Sequence, residues 1–385
     1  MLLQAQHVVT PSGLVDGGWV EVEDGRIRSA GTSPAPGRVD EQLSGTLVPG
    51  FVDVHVHGGG GVNFADGAEA AQTVLDAHLA HGTTTMVASL VTASLDDLEE
   101  QVRALTPLVR TGKLAGIHLE GPWLAPEHKG AHDPELLRDP STADVDRLLE
   151  AGRLDVGGRL PHTVHGWTAV RMVTVAPERD GGLDAVAQLA HDDVVAAVGH
   201  TDADLATAEA AIKAGARGAT HLFNAMPELL HRAPGPALAL WRDASVWVEL
   251  ICDGVHVTPQ LVAQVMATKR SRCVLVTDAM AAAAADDGDY RLGSLDVEVR
   301  GGVARLAGTD TIAGSTLTLD RAVKTAVAAG VPPELAIAAA SSHAADYLGL
   351  EWVGRISPGC RADLVVLDDA YQVRRVMHRG AWVKR

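Results

Sequence analysis

Cysteine is scarce in this 385-residue sequence, positive charge is outnumbered, and long apolar runs are missing. The three cysteines, Cys252, Cys273 and Cys360, cannot build a disulfide framework, and none stands in a C-x-x-C pair. A reduced, cytoplasmic setting is therefore expected. No stretch is apolar for long enough to cross a bilayer, and the opening "MLLQAQHVVTPSG" lacks the basic segment and apolar core of a signal peptide. Asp and Glu number 49 against 32 Lys and Arg, a formal charge of −17. That balance argues against nucleic acid or an anionic membrane as partner. It also sets a condition: an anionic substrate needs cations gathered locally against an unfavourable field. Neither G-x-G-x-x-G nor a Walker sequence marks a nucleotide-binding sheet, and no fixed-period repeat is present.

What remains is a globular composition, 46% hydrophobic and 21% charged. The first 50 residues read as short strands and turns, with "EDGR" as a hairpin turn. The last stretch, "GRISPGCRADLVVLDDAYQVRRVMHRGAWVKR", has the same character. One small β-sandwich built from both termini, residues 1–50 and 351–385, is expected to flank a central domain over 51–350. In that centre, short apolar runs such as "TTTMVASL", "AVRMVTVAPE" and "RCVLVTDAM" alternate with helical patterns such as "AEAAQTVLDAHLAHG". Eight such runs predict an α/β fold, a (β/α)₈ barrel more than an open doubly wound sheet. "AMAAAAADDGDY" reads as a loop or short helix, and "YRLGSLDVEVRGGVARLAG" as a β-hairpin inserted before the final helices.

The polar residues fall where the runs end. In "FVDVHVHGGGG", His55 and His57 project to one face of a strand, and the glycines permit close approach of a ligand. Alone, the pair indicates no more than histidines tolerated at a strand end. Further on, Glu120 closes the third run, His200 the fifth, His221 the sixth and Asp278 the eighth. Taken singly, His200 and Asp278 read equally well as helix caps and Glu120 as the partner of a loop arginine. Together, six metal-type ligands at the rim where a barrel carries its chemistry point to a metal site. Imidazole and carboxylate donors without thiolate favour Zn²⁺ or a similar divalent ion, with Fe, Mn, Co and Cd also accommodated. Glu120, His200 and His221 suffice for one ion, and His55 and His57 for a second with Glu120 between them. Such a site activates water for hydrolysis, with Asp278 as general base and acid.

"LVPGFVDVHVHG" and "GRISPGCRADLVVLD" resemble the amidohydrolase superfamily, which joins a (β/α)₈ barrel to a β-sandwich from both termini. Many members bridge two metals with a carboxylated lysine after the fourth strand. Here "AVRMVTVAPE" has no lysine, and Glu120 in "HLEGPW" takes that place. "HLEGPWLAPEHKGAHDPE", "GHTDAD", "THLFNAM", "ICDGVHV", "LVTDAM" and "IAGSTLTLD" are similar, in order, to the amino-sugar-phosphate deacetylase family of that superfamily. The resemblance implies hydrolysis of the acetamide of N-acetylglucosamine 6-phosphate, with the galacto epimer or another N-acyl substrate as the alternative. It further implies that His132 contacts the amide and, with Asp278, carries the catalysis. Asn224, Ala225, Arg232 and His256 are implied to hold the phosphate end, with Arg232 supplied by the neighbouring subunit of a homodimer. Ile312, Ala313 and Gly314, within the 311–315 segment, are implied to close over the sugar. By alternation His118 lies one layer below Glu120, as a core or supporting histidine; Asp53 is similar, and Asp253 is expected to orient its loop. His78, His81, His128 and His191 are read as surface or packing residues.

Overall fold

Runs of two to nine residues, buried on both faces and mostly rich in Val, are the composition of parallel strands covered by helices. The computed structural model of the chain describes residues 1–154 and 166–384. Eight parallel strands follow one another in chain order: β1 (Phe51–Val56), β2 (Thr83–Val91), β3 (Gly116–Glu120), β4 (Val170–Val175), β5 (Val195–Val198), β6 (Gly218–Ala219), β7 (Trp247–Ile251) and β8 (Cys273–Val276). Each pairs with its sequence neighbour. The seam between β8 and β1 is closed by a single parallel bridge, Val56 to Ala279, and by the Asp278 N–H donating to the His55 carbonyl at 2.9 Å.

Helices α1 (Ala68–Leu79), α2 (Leu95–Arg110), α3 (Thr142–Ala151), α4 (Gly182–His191), α5 (Leu205–Ala214), α6 (Gly235–Arg242) and α7 (Pro259–Lys269) return the chain between successive strands. Helix α2 shows why they form. Ser94 caps it by accepting from the Asp97 N–H, Asp96 and Asp97 face its positive end, and Leu95, Leu98, Val102, Leu105 and Val109 are buried at alternating three- and four-residue spacing. After β8 the 281–285 stretch forms turns, with Ala281, Ala282 and Ala283 buried. The insertion that follows is not one hairpin but three antiparallel strands, Asp289–Leu292, Leu295–Arg300 and Val303–Leu306. The Gly301–Gly302 pair, both at positive φ, makes a second two-residue turn. Helices α8 (Leu319–Ala328), α9 (Pro333–Ala339) and α10 (Ser342–Tyr347) complete the barrel wall.

The termini share a second sheet. Leu364–Leu367 pairs antiparallel with Glu41–Pro49, which itself pairs with Leu2–Thr10, so the two chain ends form one ladder. The expected hairpin turn is Asp24–Gly25, both at positive φ between Glu23 and Arg26. The far edge folds back, with the Ile27 N–H donating to the Cys360 carbonyl at 2.9 Å, around a separate core that includes Leu3, Val20, Ile27, Leu47 and Met377. No helix among the described residues is long and apolar enough to cross a membrane.

Candidate active site

Residues from five strand ends meet at one mouth of the barrel. His55 lies in β1 and His57 one residue past it; Glu120 is the last residue of β3. His200, His221 and Asp278 each stand two residues beyond β5, β6 and β8, at φ of 47°, 25° and 48°. Non-glycine residues are rare there, at a cost of about 1–3 kcal/mol each. Three at the same offset around one mouth mark positions held for their side chains. All six are buried.

The donors form two overlapping sets able to hold a divalent cation: His55, His57, Glu120 and Asp278, and Glu120, His200 and His221, each set within 4.8 Å. Glu120 Oε1 lies 3.2 Å from His200 Nε2 and 3.1 Å from His221 Nε2, and its Oε2 is 3.1 Å from His57 Nε2. Asp278 Oδ1 lies 3.2 Å from His57 Nε2 and 3.4 Å from His55 Nε2. Hydrogen-bond chemistry tests whether these groups fit an ion. His200 Nδ1 donates to the His128 carbonyl at 2.8 Å, so in the neutral ring Nε2 carries a lone pair. Burial and the repulsion of His132 lower the His200 pKa to about 4, so the ring is neutral near pH 7. Its lone pair then faces the ionised Glu120 Oε1 at 3.2 Å, a contact between two acceptors that is repulsive without a cation between. The residues fit the group.

The charges reinforce one another. Burial pushes Glu120 up, but His55, His132, His200 and His221 outweigh it and hold the carboxyl well below its usual range. Burial opposes charge on His55, yet Glu120 and Asp278 raise its pKa well above the ordinary value. Burial raises Asp278, and His55 and His57 bring it below the usual carboxylate range. Beneath the mouth, His118 bonds to Ser89 Oγ at 2.9 Å and Thr174 Oγ1 at 2.8 Å, with its ring edge on His55. Asp53 bonds to Thr277 Oγ1 at 2.6 Å, and burial pushes it up to about 7.

The glycines after His57 serve packing of protein on protein. The N–H groups of His57 and Gly58 both donate to the Ala279 carbonyl, at 2.8 and 2.9 Å. A Cβ at Gly58 would stand 2.5 Å from the Val62 carbonyl oxygen and 2.8 Å from the Ala281 nitrogen; one at Gly59 would meet His78 Nε2 at 2.7 Å. The expectation that these glycines admit a ligand is corrected for Gly58 and Gly59, where the approach is filled by backbone and by His78; Gly61 is open.

His132 joins the cluster, its Nε2 3.5 Å from Glu120 Oε2. The Thr92 N–H can only donate, and it reaches His132 Nδ1 at 3.3 Å, so Nε2 carries the hydrogen. Asn224 and Ala225 sit in the turn after His221: Asn224 Nδ2 donates to the His221 carbonyl at 3.2 Å, and the Ala225 carbonyl accepts from the Thr201 N–H. Asp253 Oδ2 holds His256 Nδ1 at 2.7 Å, and its Oδ1 accepts the Val255 and His256 N–H groups. Ala313 is tied to Ala304, and Ser315, beside Ile312–Gly314, donates its N–H to the Asp278 carbonyl at 2.8 Å. Arg232 is exposed between exposed Leu230 and Ala233 and makes no ion pair among the described residues.

Three supports were not read from the sequence. Glu249, in "SVWVELICDG", is a charged residue inside an apolar strand, and that anomaly is its signal. Glu178 accepts Thr201 Oγ1 at 2.5 Å and the Asp202 N–H at 2.6 Å, fixing the loop that carries His200. His128 contributes its carbonyl, which no sequence pattern announces.

The sequence pattern of the Amidohydrolase family matches residues 46–383. The chain belongs to that family. This member is a hydrolase with a buried His/Glu/Asp cluster able to hold a divalent metal. It is similar to a solved structure of a mutant N-acetyl-D-glucosamine-6-phosphate deacetylase from Mycobacterium smegmatis in complex with N-acetyl-D-glucosamine-6-phosphate, at 48% identity and TM-score 0.93, covering 100% of this chain and 99% of that one. An N-acetylgalactosamine-6-phosphate deacetylase of Escherichia coli O157:H7 is 36% identical over 98% of both chains. An N-acetylglucosamine-6-phosphate deacetylase of Bacillus subtilis is 33% identical over 99% of this chain and 96% of that one.

Proposed function

We propose that this amidohydrolase removes the acetyl group of N-acetyl-D-glucosamine 6-phosphate, giving D-glucosamine 6-phosphate and acetate, in amino-sugar catabolism and cell-wall sugar recycling. The observation that carries the reading is the pair of donor sets sharing Glu120 at the barrel mouth, with the neutral His200 ring turning its Nε2 inward. Glu120, His200 and His221 would hold one divalent ion, and His55, His57 and Asp278, with Glu120 shared, a second. Zn²⁺ suits these donors best. Such an ion supplies Lewis-acid polarisation of the amide carbonyl and lowers the pKa of the attacking water.

The remaining work falls to the chain. Asp278 takes the proton of the attacking water and delivers it to the sugar nitrogen, without which the amine leaves poorly. His132, with hydrogen on Nε2, donates to the carbonyl oxygen as charge develops there. Asn224, the Ala225 backbone and His256 bind the phosphate end, and the Ile312–Gly314 segment lies over the sugar. Arg232 supplies a two-pronged phosphate contact to the neighbouring subunit of a homodimer, which fits its exposure and its lack of an ion-pair partner among the described residues. Free, buried cysteines fit a cytoplasmic enzyme. The E. coli relative's name keeps the galacto epimer as a second reading. Acetate release from both epimeric 6-phosphates, with metal content measured on the same preparation, tests the proposal. Release from neither sugar overturns it, and faster release from the galacto epimer favours the second reading.

A further inference from the structure

Glu249 lies in the middle of β7 with no exposed surface, and the chemistry above makes no use of it. A carboxylate inside a barrel is tolerated only where donors converge on it. Three do. His55 Nδ1 is 3.0 Å from Oε2, the His221 backbone N–H is 3.4 Å from the same oxygen, and the Tyr347 hydroxyl is 3.4 Å from Oε1. The amide can only donate, so Glu249 stands as an acceptor, and the proton of the His55 ring lies on Nδ1. In the neutral ring, the form that binds a cation, Nε2 then points its lone pair at the space bounded by His57 Nε2 at 3.2 Å and by Glu120 Oε1 and Asp278 Oδ1, each at 3.4 Å.

The slot is built for this contact. A Cβ at Gly218 in β6 would stand 2.0 Å from the Tyr347 hydroxyl oxygen, so glycine is what lets the phenol of α10 reach Glu249 through the barrel wall. The Tyr347 ring is stacked on Trp247, two residues before Glu249, with centroids 5.7 Å apart. By contrast His57 Nδ1 and His221 Nδ1 have no hydrogen-bond partner among the described residues. Of the two β1 histidines, only His55 is held from behind.

We propose that Glu249 is a positioning residue that locks His55 with its proton on Nδ1 and thereby sets the metal affinity of the His55/His57 half of the site. The inference rests on the metal-dependent reading above. Carboxylates behind metal-binding histidines typically govern affinity by about 10–100-fold. The test is a Co²⁺ titration of metal-stripped, folded protein, followed by the visible spectrum and by elemental analysis, on wild type, Glu249→Leu, Glu249→Gln and Tyr347→Phe. Wild type is expected to take two equivalents. The two Glu249 variants should keep one equivalent at unchanged affinity and lose about 10–100-fold on the other, with its absorption band altered, Leu more than Gln. Tyr347→Phe, which leaves the carboxylate in place, should lose less. Glu249→Gln is nearly isosteric and keeps the experiment decisive if the leucine variant does not fold. Two equivalents at wild-type affinities in folded Glu249→Gln overturn the proposal, as does a wild type with one equivalent whose affinity the variants leave unchanged. A wild type that binds no metal, or works fully without it, overturns the metal-dependent reading itself.

Discussion

Replacing Gly58 by alanine adds one methyl group immediately after His57, and the structure says what it meets. Its Cβ would lie 2.5 Å from the Val62 carbonyl oxygen and 2.8 Å from the Ala281 nitrogen. Both are backbone atoms, so no side chain can swing aside. Each contact is several tenths of an ångström or more inside van der Waals distance, and relief requires the 57–59 backbone to move off the Ala279 carbonyl that accepts from both His57 and Gly58. Overpacking of this kind costs about 1–3 kcal/mol. A displaced His57 should also weaken ion binding by the His55/His57 half while leaving Glu120, His200 and His221 in place. Gly61→Ala is the comparison: nothing lies within 4 Å of its Cβ, but φ is +95°. It should lose about 1 kcal/mol from backbone strain alone, with both ions still bound. Urea denaturation of the two variants, with metal content measured on the folded fractions, separates the mechanisms. A Gly58→Ala protein as stable as wild type, with full metal content, would refute the close-packing account.

Glu120→Gln should deplete metal from both halves, because each donor set includes that carboxylate; full loading by elemental analysis would count against sharing. Asp278→Asn should lower kcat by ~10²–10⁴ with KM little changed, and near-normal turnover would transfer the proton to His132. Arg232→Ala should raise KM for the phosphorylated sugar by a loss of about 1.5–3 kcal/mol; heterodimers mixing it with Asp278→Asn should regain activity, and confirmed heterodimers that do not would exclude a shared site. His78, buried and bonded through Nε2 to the Gly58 carbonyl, has its pKa lowered by burial to about 4. The unfolded chain takes a proton below about pH 6.5 that the folded state refuses, so His78 costs stability as pH falls toward 4, by up to about 3 kcal/mol. His78→Gln should flatten that acid limb, and an unchanged slope of unfolding free energy between pH 4 and 6.5 would refute the assignment.

The barrel was legible because most of its strands are Val-rich and all are buried on both faces, a pattern that solvent-exposed sheets do not show. The six strand-end residues were legible because His, Glu and Asp are costly at the ends of such strands unless they have work there. Backbone detail was not. Nothing in "GHTD", "THLF" or "VTDAM" reveals that His200, His221 and Asp278 adopt positive φ, since that conformation is imposed by tertiary packing. The histidines were also hard to sort. The sequence around His78 marks only a surface or packing residue; its burial against the Gly58 loop depends on a contact across the fold. His128 matters to His200 through its carbonyl, which every residue possesses. Glu249 could have been suspected from its place within an apolar strand, but its partner lies 194 residues away.

The two halves of the site differ in what must be assembled to make them. Glu120 and His221 are 101 residues apart, on strands β3 and β6 that belong to one continuous ladder. The other half needs β1 and β8 to meet; Asp53 and Thr277, which bond across that seam, are 224 residues apart. Contacts of such long sequence separation are expensive to close in chain entropy, and this seam has one bridge where the other strand pairs have ladders. A chain that has built β3 to β6 therefore already owns one set of ligands, while the second exists only in a barrel whose first and last strands have joined. An ion held by the His55/His57 half would therefore report closure, and loosening the seam should release it before the barrel unfolds.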